Sequence, residues 1–267
     1  MDVGFIGAGH IARALGQGWS RPGLEDAPGL RYFDVSRSAA EATARAMGAD
    51  VAPDLPGLVE RSELVIVAVR PQQVQDVLTE TAPLLGPRAL VSVAAGVPLA
   101  DLRAALPDGA RVGRVMPNVA AALGLGVFRF VPGTLGPRAA AVGELFARAG
   151  EVVSLDEGDF DAATAVAGCM PGVLAALVRD LARAGERRGL EPDAARRLAV
   201  AGAHGAAAVL ARESDPEAVI TAAATPGGMT AAAIAALEER GVAEALAVAV
   251  AAAAVRAKEL TPPRRTR

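Results

Sequence analysis

The residues nearest the start of the chain carry the clearest chemistry. Gly7-Ala8-Gly9-His10-Ile11-Ala12 places two glycines and a small residue in a G-x-G-x-x-A spacing. Such a segment can wrap a diphosphate. The first glycine permits a tight turn, the second lets a ligand approach the backbone, and the small third residue lets a following helix lie close to a sheet. The N–H groups opening that helix lack intrahelical acceptors and can face phosphates. Ile6, Gly7, Ala8, Gly9, His10 and Ile11 are therefore candidates for holding a dinucleotide. The plainer alternative is a glycine turn kept only for packing.

Two further groups bear on the cofactor. Asp34 ends an apolar run and can accept a ribose 2′-hydroxyl, which suits NADH. Ser36, Arg37 and Ser38 follow at once and can hold a 2′-phosphate, which suits NADPH. Both cofactors stay open at this point. Ala68, Val69, Arg70 and Pro71 end another apolar run, and Ala94 and Ala95 a third. In an open α/β sheet the carboxyl ends of the strands face the ligand crevice. These small residues would line the cofactor there, with simple strand-to-helix turns as the alternative.

The elements that must position these groups follow from periodicity. Apolar runs at 2–6, 30–33, 64–69, 89–94 and 111–116 read as strands, and 126–130 and 151–154 as edge strands. Helices are expected at 11–19, 39–47, 72–85 and 99–105. This alternation predicts an α/β fold with an N-terminal Rossmann-type, doubly wound parallel sheet. Beyond about residue 159 the β-branched runs stop. Ala-rich helices are expected at 162–185, 193–212, 216–224, 230–240 and 242–260, with Asp193 and the Asp215-Pro216 pair among the start signals. The division is thus a dinucleotide-binding domain at 1–156, an all-helical substrate and dimerisation domain at 157–262, and a tail at 263–267. Between Glu244 and Arg256 the last helix is apolar on every face, so it must be buried all round. A homodimer through the C-terminal helices meets that need; a central helix in a monomeric bundle is the alternative.

Composition narrows the function classes. The chain has 267 residues, a formal net charge of −3 and 3% aromatics. Neither a basic surface nor aromatic platforms argue for a nucleic-acid partner. The basic cluster Arg264, Arg265 and Arg267 follows two prolines and reads as a solvated tail. One cysteine, Cys169, excludes an internal disulfide and suits a reducing cytoplasm. No charged leader with a cleavage site opens the chain. The apolar run 245–255 is too short to span a bilayer, so no membrane is expected. With only His10, His204 and Cys169 available, a metal site or a Cys-His nucleophile has little support. His204, within an Ala-rich helix, reads as a packed or exposed residue, and His10 as a cofactor contact.

Taken in order, the motifs resemble the pyrroline-5-carboxylate reductases over nearly the whole chain. The carriers are IGAGHIA, VAVRPQQV at 67–74, SVAAGV at 92–97, Arg114-Val115-Met116-Pro117-Asn118, the lead-in Asp161-Ala162-Ala163-Thr164-Ala165, Gly189-Leu190, and Thr225-Pro226-Gly227-Gly228-Met229-Thr230. The resemblance implies reduction of a cyclic imino acid by NADPH or NADH, and a dimer with interlocked C-terminal helices, often assembled into a larger ring. Residues 225–230 correspond to a substrate loop. Thr230 is then the candidate catalytic hydrogen-bond donor, with an N-cap role as the alternative. Thr225, Gly227, Gly228 and Met229 are substrate-binding candidates. The N–H groups of Gly227, Gly228 and Met229, before a helix, suit a carboxylate. Asn118 either reaches substrate or nicotinamide or serves a turn.

The departures are local. A family loop Ser-Gly-Ser-Gly-Pro-Ala-Tyr stands here as Ala167-Gly168-Cys169-Met170-Pro171-Gly172-Val173, without two hydroxyls. Ala201-Gly202 replaces a Gln-Thr pair, and Met229 a smaller residue. Two other readings remain. One is a related imine or β-hydroxy-acid reductase, although the hydroxy-acid enzymes commonly use a lysine where 162–185 offers only Arg179 and Arg183. The other is a non-catalytic dinucleotide-binding paralogue.

Overall fold

The computed structural model describes residues 1–259; the tail expected at 263–267, with its three arginines, and Leu260 fall outside the described residues. The chain divides into two compact units. One is Met1–Cys169 with the described residues from Ala252 onward, and the other is Met170–Ala251.

In the first unit, β1 (Asp2–Ile6) leads through the glycine turn into α1 (His10–Trp19). There follow β2 (Gly29–Phe33), α2 (Arg37–Met47), β3 (Asp50–Val51), α3 (Leu55–Glu60), β4 (Leu64–Val67), α4 (Pro71–Leu85), β5 (Ala89–Ser92), α5 (Leu99–Ala104) and β6 (Arg111–Met116). A 3-10 turn (Val119–Leu123), β7 (Gly126–Val131), α6 (Arg138–Ala147) and β8 (Gly150–Ser154) complete the sheet. The strand order is β3-β2-β1-β4-β5-β6-β7-β8, with the crossover between β1 and β4 that marks a Rossmann-type doubly wound sheet.

Burial on both faces explains the composition of the central strands. All four residues of β4 are buried, and they alternate between two cores. Leu64 and Ile66 join Val3, Phe5, Val91 and Leu15 on one face. Val65 and Val67 join Leu58, Val74, Leu78 and Leu102 on the other. The first core contains an aromatic seam. Phe5 stacks on Tyr32 at 5.0 Å, and Trp19 meets Phe146 edge-on at 5.3 Å. Five of the chain's eight aromatics join this seam, so the scarce rings are concentrated where they hold α1 and α6 to the sheet.

Three expectations need correction. The sheet is not wholly parallel, because β6 and β7 pair antiparallel. β7 is not an edge strand: it lies between β6 and β8, and the edges are β3 and β8. The strands expected at 64–69 and 89–94 end at Val67 and Ser92, because Arg70-Pro71 and Gly96, with φ near 68°, turn the chain. The pattern also gave no sign of α3, α6 and the two-residue β3.

The chain then crosses one face of β6 and β7 as a short 3-10 turn (Glu157–Asp159), α7 (Phe160–Ala163) and a π turn (Thr164–Gly168). This interrupts the single helix expected from 162. Beneath it lie two buried guanidinium groups. Arg114 and Arg129 share a face, since Arg114 pairs with Val131 and Met116 with Arg129. Arg114 donates to Glu157 Oε1 at 2.7 Å and lies 3.7 Å from the Phe160 ring centroid. Burial lowers its pKa, and Glu157 opposes that shift. Arg129 is 1% exposed; its Nη1 donates to Val127 O at 3.3 Å, and among the described residues its Nε and Nη2 have no partner. Burial brings its pKa down to about 10.

The second unit continues with α8 (Met170–Glu186), α9 (Pro192–Glu213), α10 (Pro216–Ala223) and α11 (Met229–Glu239), and α12 (Val242–Glu259) closes the described chain. Pro192, with Glu191 as N-cap, starts α9, one residue earlier than expected, and Asp193 lies in its first turn. Asp215 does cap α10, accepting from Glu217 N at 3.1 Å. The core of this unit is only Ala182, Ala195 and Ala199, with Val178 against them. Leu174, Leu177, Leu181, Leu198 and Leu246 are exposed. The run Glu157–Glu186 is long and apolar enough to cross a membrane by length and composition alone, a test that the shorter 245–255 run had not anticipated.

The two buried arginines should behave oppositely when replaced. Arg114→Met removes the charged donor to Glu157, leaving its carboxylate the Leu99 N–H at 3.0 Å, and is expected to destabilise by about 1–3 kcal/mol. Arg129→Met removes a buried cation that has no carboxylate partner among the described residues and is expected to be neutral or stabilising. Thermal melts of both variants check this, and a clear loss of stability in Arg129→Met would contradict it.

Candidate functional site

The glycine turn has the shape its residues require. Gly7 has φ near 103°, a region that side-chain-bearing residues avoid, and an added Cβ would lie 2.6 Å from Ala68 O. Its N–H donates to Phe33 O at 2.8 Å. Gly9 is the N-cap of α1 and has open space where a side chain would stand. No side chain caps this helix. The leading N–H groups of α1 thus border an open, glycine-lined surface, which fits a diphosphate. Ile6 and Ala8 are buried, Ile11 is half-buried, and His10 is exposed at the helix start.

Asp34, just beyond β2, turns its carboxylate toward this loop. Oδ2 accepts from Ala8 N and Oδ1 from Ser36 N, both at 2.9 Å. Ser36 is the N-cap of α2, and its Oγ lies 3.1 Å from Ser38 Oγ. Arg37 pairs with Glu41 at 2.9 Å, one turn along the exposed side of α2. Thr43 is buried in α2 and donates to Ala8 O at 2.9 Å. A threonine inside an Ala-rich helix gave no signal of its own.

The carboxyl ends of β1, β4, β5 and β6 lie side by side in the sheet. Ala68 N donates to Ile6 O at 2.8 Å, and Val93 N to Val67 O at 3.0 Å. The structure therefore brings residues 6–11 against Ala68 and Val69, and Ala94 and Ala95 one strand further along. Arg70 folds back on α4: its N and Nε both lie 3.3 Å from Gln73 Oε1, and Pro71 takes the first helical position. Ser92, fully buried, accepts from Ala94 N at 3.3 Å.

Asn118 follows β6 and is 7% exposed. Its backbone carbonyl accepts from Ala121 N, so it does serve a turn. Its side chain reaches the π turn as well, with Nδ2 3.4 Å from Ala167 O and Oδ1 unpartnered. Gly168 lies against Arg129: an added Cβ there would stand 3.0 Å from Nη2. Asn118 and Arg129 therefore both support the segment in which the two serines are missing. Nothing in the sequence marked Arg129, whose alternating neighbours suggest a solvent-facing charge. Cys169, next in line, is exposed and unpaired.

Residues 225–230 belong to the helical unit. Gly227 has φ near 73°, and Gly228 N donates to Thr225 O at 2.9 Å. That bond uses one of the three N–H groups assigned to a carboxylate. Gly228 is the N-cap of α11, which begins at Met229, so Thr230 is the second helical residue and not a cap. The donors left without intrahelical acceptors are the N–H groups of Met229, Thr230 and Ala231. Met229 is 92% exposed. Among the described residues, no three of His, Cys, Asp and Glu gather to hold a metal ion.

Comparison with known proteins covers both units. Residues 157–260 match a family model described as pyrroline-5-carboxylate reductase dimerisation, and residues 2–96 one described as NADP oxidoreductase, coenzyme F420-dependent. A pyrroline-5-carboxylate reductase of Methanosarcina acetivorans is 32% identical over 263 residues, 97% of either chain. One from Glycine max is 34% identical over 269 residues, 97% of this chain and 96% of its own. The structure of 1-pyrroline-5-carboxylate reductase from Streptococcus pyogenes aligns with a TM-score of 0.83 at 27% identity, covering 97% of this chain and 98% of that one. Likeness that runs through sheet and helices alike, from end to end, makes this chain a member of the pyrroline-5-carboxylate reductase family.

Proposed function

We propose that the chain reduces 1-pyrroline-5-carboxylate to proline, using NADPH or NADH as the hydride source. The observation that carries this reading is the alignment of the open glycine turn with the ends of β4, β5 and β6 along one edge of the sheet. When bound, the reduced dinucleotide supplies a hydride to the imine carbon. The protein's own part is binding, orientation and proton supply. Gly9 and the start of α1 hold the diphosphate. Ala68, Val69, Arg70 and Pro71 flank the cofactor, while Ala94 and Ala95 leave room for its reacting ring. Asp34, Ser36 and Arg37 border the adenosine end of the cofactor.

The helical half, taken as 157–262, holds the imino acid and forms the homodimer. Met229 and Thr230, with Ala231, present backbone N–H groups to the substrate carboxylate, with Thr225 and the two glycines shaping the turn. The Thr230 hydroxyl is the hydrogen-bond donor toward the imine nitrogen, and Asn118 is a further contact for substrate or nicotinamide. A second copy of the chain covers the apolar face. The poor core of the helical unit and the exposed leucines of α8 support this over insertion in lipid. Assembly of dimers into a larger ring follows the family pattern. The exposed, unpaired Cys169 suits a reducing cytoplasm.

Three outcomes test this reading. Purified protein is expected to oxidise NADPH or NADH when 1-pyrroline-5-carboxylate is added, followed at the absorbance of the reduced cofactor. Tight cofactor binding without turnover would favour the non-catalytic paralogue. Thr230→Ala is expected to lower turnover by ~10²-fold or less, the low end for a lost proton donor. Unchanged kcat and KM would remove Thr230 from the chemistry. Finally, sedimentation is expected to show a dimer or a larger assembly, which Leu177→Glu with Leu181→Glu disrupts; a monomeric wild type would refute the role of α8.

A further inference from the structure

Ala8 is held at both ends of its backbone by side chains from one neighbouring segment. Its N–H donates to Asp34 Oδ2, and its carbonyl accepts from Thr43 Oγ1, each at 2.9 Å. Asp34 is itself fixed, because its other oxygen accepts from Ser36 N at 2.9 Å. Thr43 is 1% exposed, so its hydroxyl is not exchanging freely with solvent. The flanking residues are also tied, Gly7 N to Phe33 O at 2.8 Å and Arg13 N to Gly9 O at 3.0 Å. Ala8 is thus held through both its N–H and its carbonyl, between two glycines that are themselves tied.

We infer that Asp34 and Thr43 are positioning residues that clamp Ala8 and pre-set the diphosphate loop, and that Asp34 is not the group that selects between the two cofactors. This rests on reading the glycine turn as a dinucleotide site. A turn whose N–H groups await a phosphate binds more tightly if it is ordered beforehand, since ordering it on binding costs conformational entropy. Both oxygens of Asp34 already have donors, and both donors are backbone groups of the site. The groups left facing outward at the end of β2 are the Ser36 and Ser38 hydroxyls and the Arg37 guanidinium, whose side chain is 72% exposed. A guanidinium beside two hydroxyls suits a phosphate. Selection between a 2′-hydroxyl and a 2′-phosphate therefore falls to residues 36–38.

The two roles for Asp34 predict different patterns. A ribose ligand touches the 2′-hydroxyl, which only NADH carries, so its loss harms NADH and spares NADPH. A clamp acts on the diphosphate loop, which both cofactors use, so its loss harms both alike. The experiment is fluorescence titration of the full chain with NADPH and with NADH, for wild type, Asp34→Ala, Thr43→Val, Thr43→Ser and Arg37→Ala. Thermal melts of each variant are recorded beside it. Asp34→Ala and Thr43→Val are expected to raise both dissociation constants by the same factor, about three- to tenfold, the scale of one net hydrogen bond. Thr43→Ser, which keeps the hydroxyl, should restore wild-type affinity. Arg37→Ala should weaken NADPH alone.

Selective loss of NADH binding in Asp34→Ala would overturn the inference and restore Asp34 as the ribose ligand. Unchanged affinity in a folded Thr43→Val would overturn the clamp. If Thr43→Val fails to fold, Asp34→Ala and the serine variant still decide the matter. Binding of neither cofactor to the wild type would remove the dinucleotide reading itself, an outcome distinct from every variant result.

Discussion

One close approach governs the sheet unit. Gly7 adopts a backbone conformation that side-chain-bearing residues avoid, and it does so within van der Waals reach of the Ala68 carbonyl. A methyl group at that point would push β1 and β4 apart where they are hydrogen-bonded, Ala68 N to Ile6 O. The same turn starts α1, whose Leu15 and Trp19 enter the main core. A local backbone requirement at one residue thus sets the spacing of two strands, the entry angle of a helix and the open surface before Gly9. The four central strands then carry their ends to that surface without further contrivance, because parallel pairing keeps all of them pointing the same way.

What the sequence made legible follows from how each element is buried. β4 and β5 are buried on both faces, so they read as unbroken apolar runs. The glycine spacing named its own turn. Elements with little local pattern were lost. β3 is two residues long, and α3 is six residues containing Pro56 and Gly57, although Asp54 caps it by accepting from Gly57 N at 2.7 Å. α6 follows Gly136-Pro137 and carries a glycine of its own, which weakened its helical signal. The direction of β7 could not be read at all, since alternation along a strand says nothing about which way its neighbour runs.

The site was legible where backbone does the work and opaque where side chains do. Residues 6–11 were found through glycine. The bonds from Asp34 and Thr43 to Ala8 join residues 26 and 35 positions apart, and no spacing rule points to them. One of the three N–H groups expected to face a carboxylate in the helical unit, that of Gly228, is engaged within the chain for a related reason. A tight turn consumed the Gly228 N–H, and only the observed bond to Thr225 O shows that. Arg129 is the strongest case. Its neighbours Phe128 and Phe130 are buried too, so the strand has no solvent face there and the usual alternation rule fails.

The departures from the family loop lie at 167–173. They fall on the π turn and the start of α8, not on the glycine turn or the strand ends. The missing serine hydroxyls therefore leave the glycine turn and the strand ends unchanged. The sheet below has its own polar groups directed at that turn, Asn118 through its amide and Arg129 beside Gly168. π turns are tolerated in helices mainly where function or packing rewards the strain. Here Asn118 takes up the Ala167 carbonyl, so the turn is supported from beneath. A segment supported in this way can change its outward-facing residues and keep its backbone.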